Sequence, residues 1–413
     1  MDIEKEKKLI REYAYDNYRK MLREPEGRLI HPFLVPGSGY TKSLWDWDCW
    51  LANIAIRQIL TDKNESDADF IKYERGSITN FLHNKTEDGR IPTDLNPITT
   101  SFDFWGEDCH PHKPCLAQHT AFIMRETQEI EWFRPYISDL MQFIDFYMTN
   151  CKHKETGLYF WLNDGGIGVD NDPCTYYRPA KSSASIYLNC FMYKELLSFV
   201  YILDLFGINS EKYSREAENL KSAVREHLWD EKDGFYYSAD LNLLPIDPDS
   251  PIHSGAPRHW HCIIQRIGVW SGFLAMWAGI ATKEQAKRMV EENLLDNKIF
   301  GSPYGVRTLS TYEKMYKIAK TGNPSCWLGP VWGISNYMVF MGLLNYGFIK
   351  EAEDLANKTI MLFGRDIENQ GCMSEYYHPD TGESVNNPGF QNWNLLCVNI
   401  IAYLEKRKQI TEF

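Results

Sequence analysis

The chain has 413 residues, a net charge of −12 and a pI near 5.5, and 14% of it is aromatic, including 13 Trp. That acidic balance disfavours nucleic acid and anionic membranes as partners, and no window of about 18 apolar residues is read as a membrane span. The charged opening, MDIEKEKKLIREYAYDNYRK, lacks the apolar centre of a signal peptide, so a cytoplasmic protein is expected.

Helical periodicity dominates. In chain order, helices are predicted over 3–24, 47–61, 72–84, 114–127, 129–150, 180–206, 210–228, 267–281, 283–294, 329–347, 349–364 and 389–406. Gly207 and Gly347 punctuate C-terminal ends, and Thr282 with Gln285 forms a capping-box pattern. Short strands are expected at 157–161 and 234–237. About a dozen helices joined by alternating short and long connections point to an all-α fold, an (α/α)6 barrel of six inner and six outer helices. Segment 329–347 is apolar enough all round to be inner, and 349–364 is amphipathic and outer. No linker or boundary interrupts the chain, so residues 1–413 read as a single catalytic domain. The connections 85–113, 151–179, 229–266, 295–328 and 365–388 exceed ordinary loops and carry the residues of interest.

The ten cysteines form no Cys-x-x-Cys pair and read as reduced core thiols. There is no phosphate loop and no Gly-x-Gly-x-x-Gly, so no cofactor is implied. His110, His112 and His119 cluster along the chain, as do His253, His259 and His261, but at no familiar metal spacing, and no metal is expected.

Two acidic segments lie in aromatic, turn-rich surroundings. In Gly165-Gly166-Ile167-Gly168-Val169-Asp170-Asn171-Asp172, Asp170 is the candidate general acid; a solvated loop is the plainer alternative. Glu375, before Tyr376 and Tyr377, is the candidate general base, ahead of Asp380 and Glu383. Glycoside hydrolysis calls for such a pair, one carboxyl protonated and one ionised on opposite sides of a sugar ring. In Trp45-Asp46-Trp47-Asp48, either carboxylate is a helix cap or a clamp for sugar hydroxyls. Trp327 and Trp332 flank a helix start at Pro330, as packing or as a pocket wall, and Trp393 is counted with them among the sugar-contacting aromatics.

In order along the chain, these segments resemble glycoside hydrolase family 63 and its bacterial relatives, close to the trehalases. Trp45-Asp46-Trp47-Asp48 resembles the family's Trp-x-Trp-Asp segment, which implies that Asp48 holds the innermost sugar. Lys113-Pro114 is similar to its Lys-Pro segment, Gly168-Val169-Asp170-Asn171 to its general-acid motif, and Trp327-Leu328-Gly329-Pro330-Val331-Trp332 to its Trp-Arg-Gly-Pro-x-Trp motif. Glu375-Tyr376-Tyr377-His378-Pro379-Asp380-Thr381-Gly382 resembles the general-base segment. The resemblance implies an inverting, metal-free hydrolase of a small α-linked glucoside, mannoside or glycosylglycerate. Inversion places the two carboxyls roughly 6.5–9.5 Å apart. Lys113, Asn171, Gly329 and Tyr376 join the tryptophans and Asp48 as expected substrate contacts. Leu328 departs from the motif Arg. Asp172 stands where it would raise the Asp170 pKa, and Arg178, Arg258 and Arg307 are the candidates to hold a substrate carboxylate. The alternatives are an α,α-trehalase and, with histidines as proton shuttles, a sugar epimerase. Oligomeric state is not legible.

Overall fold

The computed structural model describes residues 2–66, 68–106, 108–247, 249–252, 258–319 and 323–413. Among them are thirteen α-helices. They are α1 (Ile3–Asn17), α2 (Asp46–Lys63), α3 (Ile71–His83), α4 (Ser101–Trp105), α5 (Leu116–Thr127), α6 (Ile137–Asn150), α7 (Ile186–Leu205), α8 (Glu211–His227), α9 (Leu274–Trp277), α10 (Lys283–Arg288), α11 (Gly333–Asn345), α12 (Ile349–Gln370) and α13 (Cys397–Leu404). Every predicted helix is present. The unpredicted one is α4, five residues long, inside a long connection.

The packing closes into a ring. α2 packs on α5, α5 on α7, α7 on α9, α9 on α11, and α11 on the 3₁₀ turn Asn392–Leu396, which leads into α13 and packs back on α2. Between these six inner helices the chain passes outward through α1, α3, α6, α8, α10 and α12. The alternation follows from composition. α11 is buried continuously from Gly333 to Leu343, while α12 shows the core only one stripe, such as Ala352, Leu355, Ala356, Thr359 and Ile360. The molecule is therefore the expected (α/α)6 barrel. Its predicted punctuation is real: the Thr282–Gln285 capping box forms, and Gly207 and Gly347 take left-handed φ of 68° and 79°.

Some readings need correction. α7 is long and apolar enough to cross a membrane, with mean hydropathy 1.3 in its best window, contrary to the expectation that no such window exists; Lys194 and Glu195 break the run only briefly. The helix is an inner stave of the barrel, and 78% of that window is buried. The strand expected at 157–161 is only a bridge from Lys152 to Tyr159. The Asn189 side chain replaces a ladder partner, accepting from Tyr159 N at 2.8 Å and donating to Tyr159 O at 2.9 Å. Phe235–Tyr236 does form a strand, paired with Trp229–Asp230.

Candidate active site

One end of the barrel opens into a cavity whose empty space, with the solvent at its mouth included, is about 570 Å³. Its lining includes Tyr40, Trp45, Trp47, Asp48, Trp105, Asp170, Trp327, Trp332, Glu375 and Trp393. Both candidate catalytic carboxylates and six of the ten expected binding residues thus face one space.

Glu375 enters through a three-stranded antiparallel sheet of Val331–Trp332, Tyr376–Tyr377 and Ser384–Asn386. Its backbone N–H donates to Asn386 O at 3.0 Å. Its carboxylate accepts from Asn386 Nδ2 at 3.1 Å and from the Tyr40 hydroxyl at 3.4 Å. Burial pushes its pKa up to about 7, with the Asp170 charge adding and the Asn387, Tyr40 and Asn386 hydrogen bonds opposing. The same sheet sets Trp332 opposite Tyr376 in register, so their rings stack at 4.9 Å. Trp332 lies on Trp327 at 3.9 Å and 10°, and Trp327 on Trp270 at 6.0 Å and 20°. The result is a column of roughly parallel aromatic rings, of which Trp327 and Trp332 line the cavity.

Asp170 stands on the glycine-rich turn. Gly168 holds φ of +79°, and a Cβ there would lie 3.0 Å from the Trp47 ring and 3.2 Å from Lys113 Nζ, so only glycine lets the turn press onto the floor. The Asp170 carboxylate accepts from Asn323 Nδ2 at 3.1 Å. It has accessible surface yet is walled in by protein; its pKa is raised by that desolvation, against hydrogen bonds from Asn323 and Ser325 and the Lys113 charge. Asp172 is not among the groups that perturb it. That residue is buried and turns inward to cap its own loop, accepting from Cys174 N at 3.1 Å and Thr175 Oγ1 at 3.2 Å.

The two readings of the Trp45–Asp48 segment divide between its carboxylates. Asp46 is structural: it accepts from Trp47 N at 2.7 Å and Lys113 N at 2.8 Å, and pairs with Lys113 Nζ at 2.6 Å, both side chains fully buried. Asp48 faces the cavity, held by a hydrogen bond from Asn392 Nδ2. Burial raises its pKa well above the usual carboxylate range. On the lining residues Trp45 and Trp393, the buried indole N–H groups have no acceptor among the described residues.

Four expected contacts stand behind the cavity wall. Lys113 is committed to Asp46. Asn171 accepts from Trp327 N at 2.8 Å, tying the acid's loop to the aromatic column. Gly329 lies against the Tyr316 ring, and Tyr376 donates to Pro324 O at 2.5 Å. The three arginines are engaged elsewhere: Arg178 with Asp240, Arg258 with Leu244 O at 2.7 Å, and Arg307 with Asp380 at 2.6 Å. No histidine lines the cavity among the described residues. His110 bonds to Tyr147, His112 to Lys113 O and His119 to Asn53. His259 and His261 line a separate surface depression, and His253 lies outside the described residues. Among the described residues no three His, Cys, Asp or Glu side chains converge as metal ligands. Tyr40, Trp105, Ser325 and Phe390 line the cavity without having been singled out as contacts. Tyr40 follows the Pro36–Gly39 turn; nothing local marks the others.

Carboxylates disposed around an indole-floored cavity at one mouth of a double ring of helices define an α/α-barrel glycosidase. The family model described as "Mannosylglycerate hydrolase MGH1-like glycoside hydrolase domain" matches residues 40–393. The chain belongs to that glycoside hydrolase family. It is 28% identical over 443 aligned positions to mannosylglycerate hydrolase MGH1 of Selaginella moellendorffii, covering 93% of this chain and 85% of that one. It is 26% identical over 279 positions to the cytosolic neutral trehalase of Kluyveromyces lactis, covering 64% of this chain but only 33% of the trehalase. In three dimensions it is similar to the GH63 mannosylglycerate hydrolase of Thermus thermophilus, solved in complex with glucose. The TM-score is 0.70 at 18% identity, over 94% of this chain and 99% of that one.

Proposed function

We propose that the protein is an inverting α-glycoside hydrolase acting on a small α-linked glucoside or mannoside, with Asp170 as general acid and Glu375 as general base. The observation that carries this is the sharing of one aromatic-floored cavity by two electrostatically coupled carboxyls. Glu375 takes a proton from a water as that water bonds to the anomeric carbon. The glycosidic carbon–oxygen bond breaks, and Asp170 delivers its proton to the departing oxygen. Asp48 accepts hydrogen bonds from hydroxyls of the inner sugar, and the Trp45 and Trp393 N–H groups, without an acceptor among the described residues, donate to its oxygens. Trp327 and Trp332, their faces taken up within the stacked column, border the ring with their edges. A glucose-bound relative of the same fold supports a monosaccharide-sized inner subsite. One continuous hydrophobic core running from Ile10 to Ile410 supports a single catalytic unit. Relatives named as cytosolic support work in the cytoplasm.

The test is a proton NMR time course on α-glucosides, α-mannosides and their glycerates, with Asp170→Asn and Glu375→Gln alongside. The parent releases the β-anomer first. Each variant loses about 10²-fold or more in kcat, as expected when one positioned proton-transfer group is removed. Release of the α-anomer, or a Glu375→Gln variant as active as the parent, defeats the assignment.

A further inference from the structure

We propose that Trp105, with Phe104 beside it, is a stacking platform for the departing group and tunes the site to a neutral second sugar ring in place of an anionic aglycone such as glycerate; the inference rests on the hydrolase reading above. Trp105 lines the same cavity as Asp170, yet it is 37% exposed, whereas Trp47, Trp327, Trp332 and Trp393 are buried. It therefore stands at the mouth, outside the inner sugar's floor. Its side is the acid's side: a Cβ built on Gly165, in the turn that leads to Asp170, would lie 3.4 Å from the Trp105 Cβ. The departing oxygen receives its proton from Asp170, so the group it belongs to lies next to this indole.

The platform is held in place. Trp105 ends α4, whose N-terminus carries a reciprocal cap between Thr100 and Asp103, with Thr100 N donating to Asp103 Oδ2 at 2.8 Å. Gly106 follows at φ +91° and turns the chain back. Trp105 leans on Trp45 at 6.0 Å, and Trp45 on Tyr40 at 6.3 Å, so the aromatic rim is continuous with the inner subsite. Phe104 meets the Trp105 ring edge-on at 5.5 Å and leaves 80% of itself in solvent. Adjacent exposed aromatic rings at the lip of a cavity are apolar surface waiting to be covered, and the apolar face of a pyranose covers it without burying a charge.

Charge argues the same way. The lining holds three carboxyl groups, Asp48, Asp170 and Glu375, and no Lys or Arg among its described residues. An anionic aglycone would meet that acidity with no lining cation among the described residues to pair with it, since the buried Lys113 is held by Asp46. A neutral ring needs no such cation.

The experiment compares kcat/KM for α-linked disaccharides (trehalose included), for glucosyl- and mannosylglycerate, and for the α-glycosyl fluorides, whose leaving group has no ring. The parent prefers a disaccharide to either glycerate. Trp105→Ala lowers the disaccharide-to-fluoride ratio of kcat/KM about tenfold, mainly through KM, the size of one aromatic face contact; Trp105→Phe restores most of it. Preference for a glycerate, or a ratio unmoved by Trp105→Ala, overturns the inference while hydrolysis of the fluoride keeps the hydrolase reading. A parent that cleaves neither fluoride nor glycoside overturns both.

Discussion

Replacing Lys113 with Met tests whether the cation under the cavity is structural. The side chain keeps its length and loses its charge. Asp46 is then left fully buried with only two backbone N–H donors, those of Trp47 and residue 113. Breaking a buried pair on one side costs about 3–5 kcal/mol, because the surviving charge has no partner. At about 2.1 cal/mol/K per residue, the unfolding entropy of a 413-residue chain is about 0.9 kcal/mol/K, so the melting point falls by roughly 3–6 °C. The double variant Lys113→Met/Asp46→Asn recovers most of that loss, since no buried charge remains. Lys113 also holds the Asp48 and Asp170 carboxyls down, so in the single variant both pKa values rise. The assay is calorimetric melting of parent, both single variants and the double at one pH. A single variant within about 1 °C of the parent, or a double that loses as much as the two singles together, refutes the reasoning.

The remaining predictions concern protons. Asp170 and Glu375 interact, so their titration belongs to the pair, and the singly protonated pair is the active form. Glu375 must be ionised to act as base, so kcat/KM falls as pH drops below the value of about 7 held by its carboxyl. Asp170→Asn removes a negative neighbour and lowers the Glu375 pKa, readable by carbon-13 NMR of the labelled carboxyl; an unchanged value would show that the two do not communicate. Stability has its own profile. Burial raises Glu195 to about 8, Asp94 to about 7 and Glu375 to about 7, so the folded state binds more protons than the unfolded one up to about pH 8. Burial also lowers His112 to about 4 and His119 to about 3, which favours folding as pH rises to their unfolded value of about 6.5. Between about pH 6.5 and 8 only the raised carboxyls act, and stability falls with rising pH. Glu195→Gln flattens that decline, and a melting point that climbs across the window contradicts the assignment.

The helices were legible because each buries a stripe or a whole surface, which imprints its period on the chain. Asp170 and Glu375 were legible because carboxylates among aromatics and turn formers have few structural uses. Trp105 was not, because its neighbours on the chain mark only an ordinary capped turn; its role depends on Gly165, sixty residues onward. Lys113 was assigned to substrate because nothing local distinguishes a cation facing a cavity from one facing Asp46 beneath it. Asn386 and Asn392 hold the carboxylates, yet asparagine in a loop reads equally as a turn former. These misses share one cause: contacts across the barrel mouth are set by ring closure, which leaves no periodic trace.

That closure also governs assembly. The hydrogen bond from Asn392 to Asp48 joins residues 344 apart, where the first inner helix meets the last. Closing a flexible loop of that length costs about 5 kcal/mol in chain entropy. No partial row of staves covers both flanks of its end members, so intermediates carry sticky margins and formation is concerted and slow. Asp48 receives its anchoring amide only where that contact has formed. Catalytic competence and completed folding therefore arrive together, and a preparation's specific activity measures the fraction of its barrels that have shut.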